Sequence, residues 1–426
     1  MRAPALALTA HGADGRPLTR LRYANAPGSP DFRPHPDRCH LTLDLAAPGV
    51  GAPAARPREA QVRLVAPPEW LTLPGRVCFL PAGQTAITWT VYPRGLPAGF
   101  TARLAVEVRD GRRRLGRANL TLGITLEGFS QFRPEQHALP FANTVADLGV
   151  VRPDARLFAR TYRWTPLRRA FFRGLYRAIV FLGGAPGAPQ GGLCTGMARA
   201  ALARSLGGLP AGADLRAAAI VLHGRQLTDR ALLAAAPWVL RPSPARAFRR
   251  FRADLLARGR SDVCFDVGVP RPWRRDLVRA LTREGHTVVP YGFRQDHPDR
   301  AEVLVWDPNH PAAPPDESIL TVDLRGDTYG YRDRARLGER TTTIVAVRQP
   351  AYRGGRTALL ASAASVLLDP AAAGLTRRRL ALGGLLAAVG AATAALAAAG
   401  RSGLAGRDRE GNATWNRTRA TSCSTS

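Results

Sequence analysis

The sequence predicts a multidomain chain with an N-terminal all-β sandwich, an α+β domain and a C-terminal hydrophobic helix. Three observations carry that reading. Apolar and polar residues alternate with period two between about 38 and 127, apolar residues recur near every fourth position from about 160, and residues 380–400 hold no charge. The expected segments are a lead-in over 1–35, the sandwich over 36–130, the α+β domain over 135–350, a linker or helical segment over 351–379, the hydrophobic helix over 380–400 and a polar tail over 401–426.

The lead-in is rich in Pro, Gly and Asp and is expected to be loosely ordered. In TARLAVEVRD, Leu104, Val106 and Val108 fall on one face while Arg103, Glu107 and Arg109 fall on the other, which marks a half-buried strand. ANLTLGITL alternates in the same way, and DGRRRLG joins the two runs as a hairpin. With CHLTLDL, AQVRLV, VCFLPAG and TAITWTVY this makes about six strands at a spacing of roughly ten residues, the pattern of an antiparallel sandwich. Trp70 and Trp89 are expected in its core.

After a break at EGFSQFRPEQHALPFANT the period lengthens. Leu167, Phe171, Leu175 and Ile179 recur every four residues among arginines, which predicts a basic amphipathic helix packed on its own domain or laid on an anionic membrane. Residues 214–259 read as helical, and short strands follow around His286 and Asp307. The uncharged run 380–400 follows Arg377, Arg378 and Arg379, so its length and flanks fit a single membrane span with the arginines on the cytoplasmic side. Its alternative is an Ala-rich surface helix of a cytoplasmic protein. The N-terminus has too weak an apolar stretch for a secretory signal.

The net charge of +29 comes from 61 basic residues, all Arg, against 32 acidic ones, in a chain with 42 Gly and 35 Pro. That profile reads as compositional bias, and no nucleic-acid-binding motif accompanies it, so nucleic acid is not expected as a partner. Five cysteines, odd in number and widely spaced, do not form a disulfide framework. No metal or cofactor is expected, because neither His35, Cys39 and His40 nor His297, Asp307 and His310 has the spacing of a full ligand set.

The chemistry lies in three islands: GGLCTGM around Cys194, GHTVVPYGF around His286 and VLVWDPNHP around Asp307. A thiol becomes a nucleophile when an imidazole takes its proton and a third group orients that imidazole. Cys194 follows glycines and precedes a helical pattern, which places it where unpaired N–H groups favour a thiolate. His286 opens a β-like run, with Val289, Tyr291 and Phe293 expected on one face and His286 and Val288 on the other. EVLVW is expected as its antiparallel partner, ending with Asp307 beside the imidazole, and Pro308 stops the strand.

GGLCTGM, the Arg225-Gln226 pair, HTVVPYG and WDPNHP together resemble a bacterial group of papain-like cysteine peptidases, over about residues 141–327. Residues 68–91 resemble an immunoglobulin-like module. The first resemblance implies Cys194 as nucleophile, His286 as general base and acid, and Asp307 as orienter. It also implies an oxyanion donor, for which Gln190 and Asn143 are the candidates beside the Cys194 backbone N–H. The function expected is hydrolysis of a peptide or amide through an acyl-enzyme. A non-catalytic interaction module with a degenerate peptidase fold and a transglutaminase-like acyltransferase are the alternatives.

Overall fold

The computed structural model describes residues 6–35, 38–44, 60–81, 84, 86–148, 155–164, 193–270, 285–313, 318–331 and 342–356. The architecture is β-rich α+β. Among the described residues its first part holds ten strands: β1 (Ala7–Gly12), β2 (Arg20–Asn25), β3 (Phe32–His35), β4 (Cys39–Asp44), β5 (Ala60–Val65), β6 (Leu71–Leu73), β7 (Val77–Leu80), β8 (Ala86–Tyr92), β9 (Thr101–Asp110) and β10 (Arg113–Phe129). Residues 1–35 therefore carry three strands where a loosely ordered lead-in was expected. In β1 and β2 the side chains alternate between buried and exposed from Ala7 to Ala10 and from Arg20 to Tyr23, so short runs such as RLRY bury Leu21 and Tyr23 despite their flanking Gly and Pro.

Two sheets face each other. One is four-stranded in the order β1-β4-β8-β6, and the other contains β10-β9-β5-β7 with β2 added in parallel to β10. Trp89 and Val91 from the first sheet meet Val62, Leu64, Leu104 and Val106 from the second in one core. The hairpin between β9 and β10 turns at Gly111, whose φ of 57° lies in the left-handed region that glycine adopts without steric cost.

The chain does not break after the sandwich. β10 runs on to Phe129, and Leu126 to Phe129 pair antiparallel with residues of β13 (His286–His297), so the sandwich sheet continues into the second part. A Cβ at Gly128 would run into the Phe293 ring, so glycine there permits the two strands to approach. β12 (Val263–Pro270) flanks β13, and β14 (Arg300–Trp306), β15 (Ile319–Asp323) and β16 (Thr328–Tyr331) extend the sheet by successive antiparallel pairing. β17 (Thr342–Arg348) pairs with β12.

Short helices α1 (Pro134–His137), α2 (Val145–Leu148) and α3 (Ala155–Thr161) precede β11 (Tyr162–Trp164). Among the described residues four longer helices follow: α4 (Cys194–Ser205), α5 (Leu215–Gly224), α6 (Asp229–Leu240) and α7 (Pro244–Arg258). In α4 every residue from Thr195 to Ala203 is buried, because the helix lies between α5 and β13 and has no solvent face along that stretch. Its small residues, Gly196, Ala198, Ala200 and Ala201, suit that position. Gln349–Tyr352 forms a 3-10 turn whose Ala351 and Tyr352 are buried, and β18 (Gly355–Arg356) pairs with β11, so the α+β part extends beyond the expected boundary at 350.

β13 departs from strict alternation. Its register on β14 shifts between Pro290 and Gly292, a bulge that changes which face later residues use. Val289 and Tyr291 pack in the core with α4, whereas Val288 and Phe293 pack in the core shared with the sandwich and Phe248 of α7. Phe293 thus lies on the face opposite to the one its spacing predicts. Among the described residues no helix is long and apolar enough to cross a membrane. The expected amphipathic helix around 167–179, the run 380–400 and the tail over 401–426 fall outside the described residues.

Candidate functional site

Cys194 is the first residue of α4, with Leu193 as the helix cap, and its side chain is partly exposed. A helix leaves its first backbone N–H groups without intrahelical acceptors, so the thiol stands beside several donors. His286 begins β13, and Asp307 directly follows β14. Pairing of Val289 with Trp306 brings those two positions together across the hairpin.

His286 Nε2 and Asp307 Oδ1 are 2.5 Å apart, and both side chains are buried. The His286 ring also lies close enough to the Cys194 thiol to influence its ionisation. With Nε2 held by the carboxylate, Nδ1 is the ring nitrogen left to exchange a proton with the thiol. Asp307 Oδ2 accepts a 2.5 Å bond from the Tyr331 hydroxyl, and Oδ1 also accepts from Asn309 N at 2.8 Å in the tight turn of D-P-N. The three residues of the islands therefore meet in one place and in the order thiol, imidazole, carboxylate.

The electrostatics follow from these contacts. Burial alone would push the Cys194 thiol up, but hydrogen bonding and charge from His286, with the Thr287 backbone N–H, outweigh it and hold the thiol below its ordinary value. Burial would lower the imidazole, yet its bonds to Asp307 and Cys194 raise it to about 9. Burial likewise opposes ionisation of Asp307, and the bonds from His286, Tyr331 and Asn309 bring its carboxyl down to about 2. Both shifts act in the direction of a thiolate beside an imidazolium. The other described thiols differ: burial lifts Cys39 to about 11 and Cys264 to about 12, and raises Cys78 as well.

No protein-family model and no curated protein matches this chain. Among solved structures, the E. coli chaperone DraB matches at 12% identity with a TM-score of 0.16, over 29% of this chain and 54% of that one. The match spans about half of that chaperone's length.

Asn143 is buried beside the site, and its amide braces the segments around it. Oδ1 accepts from Leu193 N at 3.1 Å, Nδ2 donates to Asn309 Oδ1 at 3.0 Å, and its own N–H donates to Pro308 O at 2.8 Å. It ties the cap of the thiol helix to the loop that holds Asp307. Gln190 lies outside the described residues. Arg225 and Gln226 also serve structure: Arg225 Nη1 donates to Tyr352 O at 3.0 Å, and Gln226 Nε2 contacts His223 Nε2 at 3.2 Å.

Four neighbours of the site escape a reading of the motifs. Thr195 and Thr287 stand one residue beyond the thiol and the imidazole, and their hydroxyl oxygens are 2.7 Å apart. Thr287 Oγ1 also donates to Asp266 Oδ1 at 2.8 Å, from the neighbouring strand β12. Tyr331 comes from β16, two strands beyond β14. Asp266 follows Phe265 in an apolar strand, so a buried carboxylate in VCFDVGVP is the one sequence signal that points to this layer. Among the described residues no group of three or more His, Cys, Asp or Glu side chains is placed to hold a metal ion.

Proposed function

We propose that this chain is a thiol-dependent hydrolase acting on an amide or peptide bond, with a papain-like catalytic part and an immunoglobulin-like sandwich joined to it through β10. The observation that carries the reading is the run of bonds from His286 through Asp307 to Tyr331 beside Cys194, whose thiol is held low.

The Cys194 thiolate attacks the substrate carbonyl, forming a C–S bond while the carbonyl π electrons move to oxygen. The Cys194 backbone N–H, at the helix start, donates to that oxyanion. Collapse of the intermediate breaks the C–N bond, and the imidazolium Nδ1–H of His286 passes its proton to the leaving amine. Neutral His286 then takes a proton from water as its oxygen attacks the thioester, and release of the acid restores the thiolate and imidazolium. Asp307 stays ionised and keeps the Nε2–H in place.

The test is acylation by p-nitrophenyl acetate. The expected result is a burst of nitrophenolate and one acetyl group on the peptide bearing Cys194, released by hydroxylamine and absent in Cys194→Ala. An acetyl group that Cys194→Ala retains, or no adduct on folded wild-type protein, overturns the proposal. Release of the acyl group to an added amine in place of water would assign the transferase chemistry instead.

A further inference from the structure

A cavity lies at the far end of the thiol helix. It encloses about 300 Å³, and α4 contributes Ala203 to it nine positions after Cys194, about 14 Å along the axis at ~1.5 Å per residue. Its apolar wall is formed by Ala203, Leu209, Ala218, Val221 and Leu222, from the end of α4, the following turn and one side of α5. Arg160, Arg225 and Arg353 line it from three separate segments.

The charge around this cavity is one-sided. Residues 155–164, 194–209, 215–227 and 349–356, which build it, hold nine arginines and no Asp or Glu, whereas the whole chain has 61 basic and 32 acidic residues. Arg160 and Arg353 are exposed and form no ion pair among the described residues. Arg225 is fixed in position by donating from Nη1 to Tyr352 O and from Nη2 to Arg160 O at 3.3 Å. Beneath the wall, the guanidinium of the fully buried Arg199 lies 4.1 Å from the centre of the Tyr352 ring, another lining residue, and adds positive potential from the protein side.

A cavity of this size with an apolar wall and a few convergent charged groups has the make-up of a small-molecule site. We propose that it binds a small amphiphilic anion, a carboxylate or phosphate ester with a short alkyl portion, the anionic group at the arginine rim and the alkyl portion against α5. This site is separate from the thiol and does not rest on the hydrolase reading.

The experiment titrates the full chain with hexanoate, hexyl phosphate, hexan-1-ol and inorganic phosphate while following the midpoint of thermal unfolding. A ligand that binds only the folded state raises that midpoint with concentration. The expected result is a saturable rise with hexanoate or hexyl phosphate and none with hexan-1-ol; the stronger of the two identifies the headgroup. Arg160→Ala with Arg353→Ala, both at exposed positions, is expected to weaken binding about ten- to hundred-fold, as loss of charge-assisted hydrogen bonds does. Arg353→Glu, read in parallel and checked for an unchanged unliganded midpoint, is expected to abolish it. Equal responses to hexan-1-ol, an equal response to inorganic phosphate, unchanged affinity in the arginine variants, or no response to either anion overturns the proposal.

Discussion

Thr195 Oγ1 and Thr287 Oγ1 lie 2.7 Å apart and bolt the first turn of the thiol helix to the strand that carries His286. Thr287 has one hydroxyl proton and gives it to Asp266 Oδ1, so Thr195 must be the donor to Thr287. The Thr287 backbone also helps to hold the Cys194 thiol below its ordinary value. Thr287 therefore holds the start of α4 against the strand of His286 through its side chain.

Thr287→Val keeps the shape and the backbone N–H but removes the bolt. Its expected cost is about 1–3 kcal/mol of stability, because Asp266 and Thr195 lose a buried partner. Alkylation of Cys194 at neutral pH is expected to slow by about tenfold or more, since small displacements of a reacting pair are costly. Urea unfolding and the iodoacetamide rate measure the two effects separately, and Thr287→Ser, which restores the hydroxyl, is expected to recover most of both.

The islands made the thiol, imidazole and carboxylate legible because each combines a reactive residue with glycine or proline that fixes the backbone around it. Strand alternation made the sandwich legible for the same reason, as in AQVRLV, where Ala60, Val62 and Leu64 point inward. Long-range consequences were not readable. β10 crosses from one part to the other because Gly128 admits Phe293, a contact between positions 165 residues apart, and the bulge at Pro290 moves Phe293 to the opposite face from its expected one. Tyr331 reaches Asp307 only through the order of β14, β15 and β16 in the sheet. Asn143 carries no local mark of a brace between Leu193 and Asn309.

Thiol reactivity is expected to be selective. Cys194 is held low and partly exposed, whereas Cys39, Cys78 and Cys264 are buried and raised. In a Cys423→Ser background, limiting iodoacetamide at pH 6.5 should label the Cys194 peptide at least about tenfold faster than any other, as read by mass spectrometry. Comparable labelling of a second thiol would show that the His286 contact does not activate Cys194.

The pH dependence distinguishes an ion pair from a bare thiolate. Iodoacetate is anionic and gains from the imidazolium, so its rate should rise as Cys194 ionises below its ordinary 9.0 and fall as pH passes about 9, where His286 loses its proton. Iodoacetamide should show the rise without the fall, and His286→Gln should remove the iodoacetate maximum. Stability has the matching signs. His286 is raised from 6.5, so its contribution is complete below about 6.5 and is lost as pH rises through about 9. Asp307 is lowered from 3.8, so its contribution is complete above about 4 and is lost as pH falls through about 2.

Tyr331→Phe removes one of the bonds to the Asp307 carboxylate and leaves the ring in its buried position. The carboxyl should then rise from its depressed value, with a stability loss of about 1.5–3 kcal/mol, the range for a hydrogen bond to a charged group. The thiol should lose less reactivity than in Asp307→Ala, because the His286 bond to Oδ1 survives. Measuring the iodoacetate profile in both variants checks the order. An equal loss in the two would mean that the Tyr331 bond and the His286 bond act as a single unit.

Gly196→Ala tests how tightly the thiol helix is seated. Gly196 lies in the first turn of α4, and an added Cβ would collide with the backbone oxygen of Ala219 and approach His223 Cβ to 2.7 Å on α5. Backbone cannot yield as a flexible side chain would, so the two helices must separate. Overpacking of that kind costs about 1–3 kcal/mol, against which the higher helix propensity of alanine returns at most about 1 kcal/mol. The net expectation is a lower unfolding midpoint together with a slower Cys194 alkylation rate, because moving α4 off α5 also moves the sulfur relative to His286. A variant that keeps wild-type stability would show that α4 and α5 have room to spare, and one that loses stability but keeps the alkylation rate would place the helix shift beyond the first turn.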